Sequence, residues 1–517
     1  MSYKLFKSTL TVSSMTFISR LLGFIRDVMF AMVFGASPDF DAFIVAFKIP
    51  NCMRRLFGEG AFTQAFVPIL SEYQAFSFRK EMHQFIHAIT GSLSTVVLLI
   101  VLLIELTASW ITMVFAPGFT HDSIRLDCSI HMLRITSPYL LLITLTTFTG
   151  AVLNTFNRFA VSAFTPMLLN VVMIITVWFY VPSPTSIHAL AWSVLVGGIL
   201  QLAVQSFFLY HRLGFIPIPK WRWYDPGVIR VLKLMVPTLL GVSVAQISLL
   251  VDNFFASFLE VGSISWLYYS DRLTYLPLGI IGVALSTVVL PSLSWCYNLQ
   301  SANSYSATLD WALRTVSLIG IPAAVALFIL SGPVLTTLIY HGAFTARDVL
   351  MTQKSLLAFS VGLPWFMFVK VLASAFYARQ NVKTPAKIAI IAMGINLFLN
   401  ILLIHPLAHA GLALSTSLSS AFNAGFLLYS LWRRSIYKLT AKWAKFFLQL
   451  LTANFMMGLI IFQFSENIMQ WFTWSIEERV FHLLGVILLG SFTYLGTLWI
   501  MGLRFSDLKP SIMIDKA

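Results

Sequence analysis

STLTVSSMTFISRLLGFIRDVMFAMVF, from Ser8 to Phe34, is apolar and long enough to cross a bilayer as one helix, yet it carries Arg20, Arg26 and Asp27. Such a crossing takes about 20 predominantly apolar residues. An Arg or Lys at mid-bilayer costs roughly 2.5–3.5 kcal/mol on insertion scales, so these side chains face a water-filled cavity or a ligand rather than lipid. The next stretch, starting near Phe40, adds Asp41, Lys48, Arg54 and Arg55. Cations on adjacent membrane helices predict a positively charged chamber, which suits an anionic cargo.

The rest of the 517-residue chain extends the pattern. Hydrophobic residues make up 58% and charged residues 10%, with a mean hydropathy of +0.83. Soluble domains carry about 25% charged residues, so the fold class is an all-α polytopic membrane protein; a β-barrel would show short alternating segments instead. Apolar stretches predict about 14 transmembrane helices, near 8–34, 40–70, 84–114, 129–152, 160–181, 187–210, 228–259, 265–296, 310–331, 349–377, 385–404, 410–431, 443–464 and 481–503. An even count puts both termini on the cytoplasmic side. Lys4 and Lys7 precede a stretch too long for a cleaved signal segment, so the first helix is expected to remain as an anchor.

The net charge of +14 raises nucleic acid as a partner, but its placement argues against that reading. With the N-terminus inside, about 20 of the 34 Lys and Arg fall in cytoplasmic loops and tails, about 3 outside (Arg125, Arg347, Arg479) and about 11 within spans, an asymmetry that follows the positive-inside rule. The tracts Lys220/Arg222/Arg230 and Arg433/Arg434/Lys438/Lys442/Lys445 read as topology signals that also touch anionic lipid heads. The longest connection, His211 to Val228, is basic, holds Trp221, Trp223, Pro217 and Pro219, and is expected along the inner interface. Cys52, Cys128 and Cys296 make no disulfide framework.

The chain repeats itself weakly. Val67-Pro68-Ile69-Leu70-Ser71 resembles Leu290-Pro291-Ser292-Leu293-Ser294, Thr165-Pro166 matches Thr384-Pro385, and Ala189-Leu190-Ala191-Trp192-Ser193 resembles Gly411-Leu412-Ala413-Leu414-Ser415. The near-constant offset predicts an N-terminal six-helix lobe over 1–212, a C-terminal six-helix lobe over 213–435, and a final helix pair with a cytoplasmic tail over 436–517. Transporters built from repeats bind substrate near mid-membrane at the repeat interface.

On one helix, Arg20 and Asp27 are seven residues apart and share a stripe. Arg26 lies on a different side, about 9 Å along the axis from Arg20, with Gly23 between them as a place to bend. Asp41, Lys48 and Arg55 follow at successive sevens, Arg54 flanks them, and Pro50 frees backbone groups of the kind tolerated where they line a cavity. Asp271 and Arg272 add a further pair. Arginine forks match phosphate oxygens bidentately. The candidate substrate-binding set is therefore Arg20, Arg26, Arg54, Arg55, Arg272, Lys48, Asp41 and Asp27. The competing reading is a set of internal ion pairs, in which Asp27, Asp41 and Asp271 neutralise the cations and fix helix packing. Glu105 and Lys370 are deep, with no partner evident from sequence. A second polar group, Asp252, Asn396, Asn400 and Thr416, reads either as a cation site for Na+, with protonation of Asp252 as a further option, or as ordinary interhelical hydrogen bonds. No catalytic constellation, metal-type His/Cys cluster or cofactor motif is evident, so the chain is not expected to be an enzyme. Gly58 and Gly60 read as a packing or bend feature.

The run Ser19-Arg20-Leu21-Leu22-Gly23-Phe24-Ile25-Arg26-Asp27 is similar to the opening helix of the MurJ (MviN) family. So are Asp41-Ala42-Phe43-Ile44-Val45-Ala46-Phe47-Lys48-Ile49-Pro50-Asn51, Arg54-Arg55-Leu56-Phe57, Glu59-Gly60-Ala61-Phe62, Leu153-Asn154-Thr155-Phe156-Asn157-Arg158-Phe159, Ser265-Trp266-Leu267-Tyr268-Tyr269-Ser270-Asp271-Arg272-Leu273 and Tyr377-Ala378-Arg379-Gln380-Asn381-Val382-Lys383-Thr384-Pro385. The resemblance runs over nearly the whole chain. It implies a lipid II flippase of the MOP exporter superfamily, which moves the undecaprenyl-diphosphate-linked peptidoglycan precursor from the inner to the outer leaflet of the bacterial cytoplasmic membrane by alternating access. It also implies a charged cavity, to which Arg20, Arg26, Arg54, Arg55 and Arg272 match, and a hydrophobic groove near the last two helices. Tyr275 stands where some members carry a Glu, so no role passes to that position. Membrane lipids and cell-wall synthesis proteins are the further partners of this reading. Driving forces are the membrane potential or coupling to Na+ or H+. Alternatives are export of another polyprenyl-diphosphate glycan, or cation-coupled drug antiport.

Overall fold

The computed structural model describes residues 3–56, 62–76, 79–156, 158–180, 186–438 and 442–504. Gly58, Glu59, Gly60, Asn157 and the expected cytoplasmic tail lie outside them. The described residues are mostly helical, with no strand. In chain order the helices are α1 (Tyr3–Phe34), α2 (Pro38–Met53), α3 (Thr63–Phe76), α4 (Arg79–Phe115), α5 (Ser123–Thr136), α6 (Tyr139–Thr155), α7 (Phe159–Tyr180), α8 (Ser186–Leu213) and α9 (Pro226–Ala256). They continue as α10 (Ser263–Pro277), α11 (Val283–Asn298), α12 (Ala302–Ile329), α13 (Ser331–Leu338), α14 (Ala346–Tyr377), α15 (Lys383–Arg433), α16 (Lys442–Phe464), α17 (Ile468–Thr473) and α18 (Ile476–Ile500).

Several helices begin where short polar side chains take up otherwise unpaired amide groups. Ser37 accepts from the Phe40 N–H at 3.3 Å, with Pro38 next in line. Asp122 caps α5, Asp225 caps α9, and capping boxes open α14 (Thr345 with Asp348) and α18 (Ser475 with Glu478). Among the described residues every expected span falls mainly on helix, but several are divided. The span over 40–70 is α2 and α3, and Arg54 to Leu56 take a π-helical turn after α2. The span over 129–152 breaks at Ser137-Pro138 between α5 and α6. The span over 265–296 is interrupted by a π-helical turn, Leu278–Gly282, directly after Pro277. The expected spans 385–404 and 410–431 are the two arms of α15, which meet at a sharp non-helical kink at Ala408, whose φ of 48° follows Pro406 by two residues. Among the described residues, 9 helical stretches are long and apolar enough to cross a membrane.

The chain divides into two compact units, Met1–Ser265 and Trp266–Ala517. The division falls beyond the midpoint of the sequence repeat, because α9 packs on α3 and α4 in the first unit. The core of that unit is rich in phenylalanine. Phe30, Phe40 and Phe43 meet edge to face or stacked, and Phe62, Phe66, Phe85 and Phe148 form a second group. Its outer surface is equally apolar, as Leu99, Leu103, Leu106 and Trp110 on α4 show. In water such a patch would be a liability; against lipid it is the surface a spanning helix needs.

In the second unit, α14 packs against α12 and α15 around Leu363, Met367, Val371 and Leu427. The last long helices, α16 and α18, build their own core from Leu450, Met457, Ile461, Val486 and Leu498, with Leu318 and Leu330 of the α12 region joining it. The Tyr494 hydroxyl donates to the Leu318 carbonyl at 2.7 Å. Asp310 on α12 accepts from the Tyr437 hydroxyl at 2.7 Å and the Trp443 indole at 2.5 Å, and pairs with Arg314 at 2.9 Å. These bonds fix the start of α16 to α12.

Candidate functional site

On α1 the two arginines meet different fates. Arg26 and Asp27 are both buried. Arg26 donates to Asp27 Oδ1 through Nε at 3.0 Å and Nη2 at 2.6 Å, and through Nη1 to Asn170 Oδ1 at 2.9 Å. Its guanidinium lies 5.3 Å from the Phe30 ring centre. Asn170 closes the circuit by donating to the Ser19 carbonyl at 3.2 Å, so α1 is sewn to α7 along nearly two turns. A charge pair of this kind is satisfied on both sides, and its loss would leave an uncompensated charge in an apolar bundle. Arg20 is exposed and forms no hydrogen bond or ion pair with a described residue. α1 runs through Gly23 without a break in its helix.

On α2, Asp41 and Lys48, seven residues apart, face one segment of the same unit, whereas Arg55 lies past the end of α2 in the π-helical turn. Asp41 is 1% exposed. Its carboxylate accepts from the Gly262 N–H at 2.7 Å, the Ser265 N–H at 2.9 Å and the Ser265 hydroxyl at 2.5 Å. It therefore caps the start of α10 from a distant helix, where a negative charge also suits the positive end of the helix dipole. One helical turn pair further on, Lys48 Nζ donates to Asn253 Oδ1 at 2.6 Å. Beside them the Gly118 N–H donates to the Ser257 hydroxyl at 3.0 Å. Arg54 Nε donates to Asn51 Oδ1 at 2.9 Å. Arg55 is half-buried and has no hydrogen bond or ion pair with a described residue.

In the second unit Arg272 stacks its guanidinium on Tyr268, 4.9 Å from the ring centre, and Tyr275 is half exposed. The two halves of α15 fold back on one another, with Gly411 against the Leu403 carbonyl; a Cβ there would sit 2.2 Å from that oxygen. The fold-back brings three predicted polar residues together. Asn400 donates to Asn396 Oδ1 at 3.3 Å, Asn396 donates to Thr416 Oγ1 at 3.3 Å, and Thr416 donates to the Leu412 carbonyl at 3.1 Å. Asp252, their proposed companion, belongs to α9 in the first unit. Among the described residues, no group of His, Cys, Asp and Glu could hold a metal ion.

Sequence reading missed the amides Asn170 and Asn253. Their signal was present: a lone amide in an otherwise apolar helix is expensive unless it meets a partner. Glu105, for which the sequence shows no partner, accepts from the Ser137 hydroxyl. Arg479, read as an external loop residue, is buried. It donates through Nε to the Trp471 carbonyl at 2.8 Å and through Nη2 to the Phe472 carbonyl at 3.2 Å, beside the Tyr340 ring. It thus gathers the exposed carbonyl end of α17.

A family model described as "Lipid II flippase MurJ" matches residues 30–482. A probable lipid II flippase MurJ of Vibrio cholerae serotype O1 is 42% identical over 99% of this chain and 98% of its own. The lipid II flippase MurJ of Burkholderia cenocepacia is 38% identical over 97% and 98%. A solved structure, "Lipid II flippase MurJ, inward closed conformation", superposes with a TM-score of 0.82 at 30% identity, covering 96% of this chain and 99% of that one. An inward-facing MATE multidrug transporter of the MOP superfamily shares the fold at 12% identity, with a TM-score of 0.67 over 83% of this chain and 98% of its own. With its cations on α1 and α2 and this likeness over nearly its full length, the chain belongs to the lipid II flippase MurJ family.

Proposed function

We propose that this protein carries lipid II, the undecaprenyl-diphosphate-linked peptidoglycan precursor, from the inner to the outer leaflet of the bacterial cytoplasmic membrane by alternating access. Family membership over nearly the whole chain supports the cargo. The local observation that carries the mechanism is the contrast among the cations: Arg26 is neutralised by Asp27, whereas Arg20 and Arg55 form no ion pair with a described residue. Arg20, Arg54 and Arg55 take the diphosphate oxygens. Arg26, Asp27, Asp41 and Lys48 act as positioning residues that hold α1 and α2 in place. The process is transport; no bond is made or broken.

The chain crosses the membrane fourteen times with both termini in the cytoplasm. Net positive charge on the empty carrier responds to the inside-negative potential, about 2.3 kcal/mol per charge per 100 mV for full transfer. A bound diphosphate offsets that charge and eases the outward step. Na+ coupling rests on the oxygen-bearing side chains Asn396, Asn400 and Thr416, and H+ coupling on Asp252.

Depletion of the protein in its host, followed by leaflet-resolved labelling of lipid II, tests the proposal. Lipid II should accumulate in the inner leaflet, wild-type protein should restore outer exposure, and Arg20→Ala/Arg55→Ala should not, although present in the membrane. Unchanged outer-leaflet lipid II after depletion overturns the function. In the same assay, loss of Na+ dependence in Asn400→Leu, or of proton dependence in Asp252→Asn, identifies the coupling ion.

A further inference from the structure

The connection from Gly214 to Asp225 between α8 and α9 has no regular secondary structure beyond a turn at Trp223-Tyr224, yet it is fastened along α4. The Ile218 N–H donates to His87 Nδ1 at 2.8 Å, and the Lys220 N–H donates to the His87 carbonyl at 3.1 Å. The Trp221 indole donates to Thr95 Oγ1 at 2.9 Å, and Phe215 stacks on His83 with ring centres 4.1 Å apart. The strap lies so close that a Cβ on Gly91 would fall 2.3 Å from the Lys220 carbonyl oxygen. Its depth is thereby fixed against a helix that is itself apolar enough to span the bilayer.

The strap's outer face has two kinds of side chain. Ile216, Ile218, Trp221, Trp223 and Tyr224 are exposed, Trp221 at 75% and Tyr224 at 92%. Lys220 and Arg222 are exposed between them, and neither side chain has a hydrogen bond or ion pair with a described residue. The acids nearby are engaged: Asp225 caps α9 through the Gly227 N–H at 2.9 Å, and Glu72 pairs with Arg230 at 2.8 Å. Five basic residues and one acid lie between Arg212 and Lys233. Indole and phenol rings favour the headgroup level of a bilayer, and exposed cations there attract anionic lipid.

We propose that this strap is a docking surface for anionic phospholipid headgroups of the inner leaflet, with Trp221, Trp223 and Tyr224 seated at the interface and Lys220 and Arg222 holding the phosphates. A soluble acidic protein would satisfy the two cations but would leave isoleucine, indole and phenol surface without a reason to be held at a fixed membrane depth. Charge and aromatic content together select the lipid.

The test uses the full-length protein in bilayers whose lipids are brominated either near the carbonyl end or near the tail end of the acyl chain, on phosphatidylglycerol or on phosphatidylcholine. The emission of Trp221 is taken as wild type minus Trp221→Phe. It should be quenched most by bromine near the carbonyl end, and several-fold more by phosphatidylglycerol than by phosphatidylcholine, since each surface cation enriches anionic lipid about five-fold. Lys220→Gln/Arg222→Gln should abolish the preference for phosphatidylglycerol and keep the quenching by phosphatidylcholine. Absence of quenching by either lipid, as a protein or aqueous partner would produce, overturns the proposal. Equal quenching by both lipids in the wild type, or full preference retained in the double variant, overturns it as well.

Discussion

A charged side chain in this bundle is defined by what completes its hydrogen bonds, and Arg20 and Arg26 make the comparison within one helix. Arg26 is closed off by Asp27 and Asn170, whereas Arg20 is not. Arg26→Ala is therefore expected to destabilise the protein by about 3–5 kcal/mol, the usual cost of stranding one half of a buried pair, and Arg26→Leu/Asp27→Leu should recover most of it. Arg20→Ala should leave thermal unfolding in detergent within about 0.5 kcal/mol of wild type while slowing lipid II translocation roughly 10–100-fold, as loss of one charged hydrogen-bonding group does. Equal destabilisation by the two alanines would assign Arg20 to packing. The sequence made the cations visible through their cost in lipid, and the seven-residue spacing put Asp41, Lys48 and Arg55 on one stripe. It could not separate ligand from strut. The groups that decide, Asn170 and Asn253, lie 144 and 205 residues away from the arginine and lysine they meet.

Helix beginnings carry local chemistry that spans drawn from apolar length alone leave unused. Ser37-Pro38, Asp122, Asp225-Pro226 and Thr345 with Asp348 each announce a start within a few residues. Helix interruptions divide by their signal: the break at Ala408, beside Pro406, separates two spans that apolar length also separates, whereas the π-helical turn after Pro277 falls inside a stretch that reads as one span. Asp122 also makes a pH-dependent contribution. The Arg125 N–H at 3.2 Å and the Arg125 guanidinium at 2.7 Å hold its carboxyl below the usual carboxylate range. A lowered native value means that the ionised carboxylate adds stability at neutral pH, and this is lost as pH falls through the native value. Asp122→Asn keeps the cap but removes the charge. The wild-type advantage, up to about 1 kcal/mol for a partly exposed pair, should be constant from about pH 7 to pH 5 and be lost as the pH falls past the usual Asp value of about 3.9 and through the lower native one. An advantage that persists at the acid end would assign the effect to geometry instead.

At the scale of the molecule, the repeat predicted two similar halves, and packing drew the line later. Three contacts carry α9 and the start of α10 into the first unit: Lys48 with Asn253, Gly118 with Ser257, and Asp41 with Gly262 and Ser265. Gly118 tests how tight that attachment is. A Cβ there would lie 2.0 Å from the Ser257 carbonyl oxygen, so Gly118→Ala must push the segment away, at about 1–3 kcal/mol. Unfolding of the purified protein should show the loss; an unchanged midpoint would mean that the segment gives way freely. Self-similarity in sequence suggests a division by repeat, whereas the long-range hydrogen bonds attach α9 to the first unit, and only the first is readable from one strand of letters.

The distance between Asp41 and its partners has a consequence for biogenesis. The carboxylate is made 224 residues before the Ser265 amide and hydroxyl that complete it. At about 5–20 residues per second, it waits on the order of 10–45 s on the ribosome with its acceptor sites unfilled. For that interval a newborn α2 carries an unsatisfied acid and an uncapped lysine. It must stay in a wet part of the insertion machinery, or lie shallow in the bilayer, until the ninth helix and the start of the tenth arrive. Slowing translation between α8 and α9 would lengthen this vulnerable period without altering the finished protein.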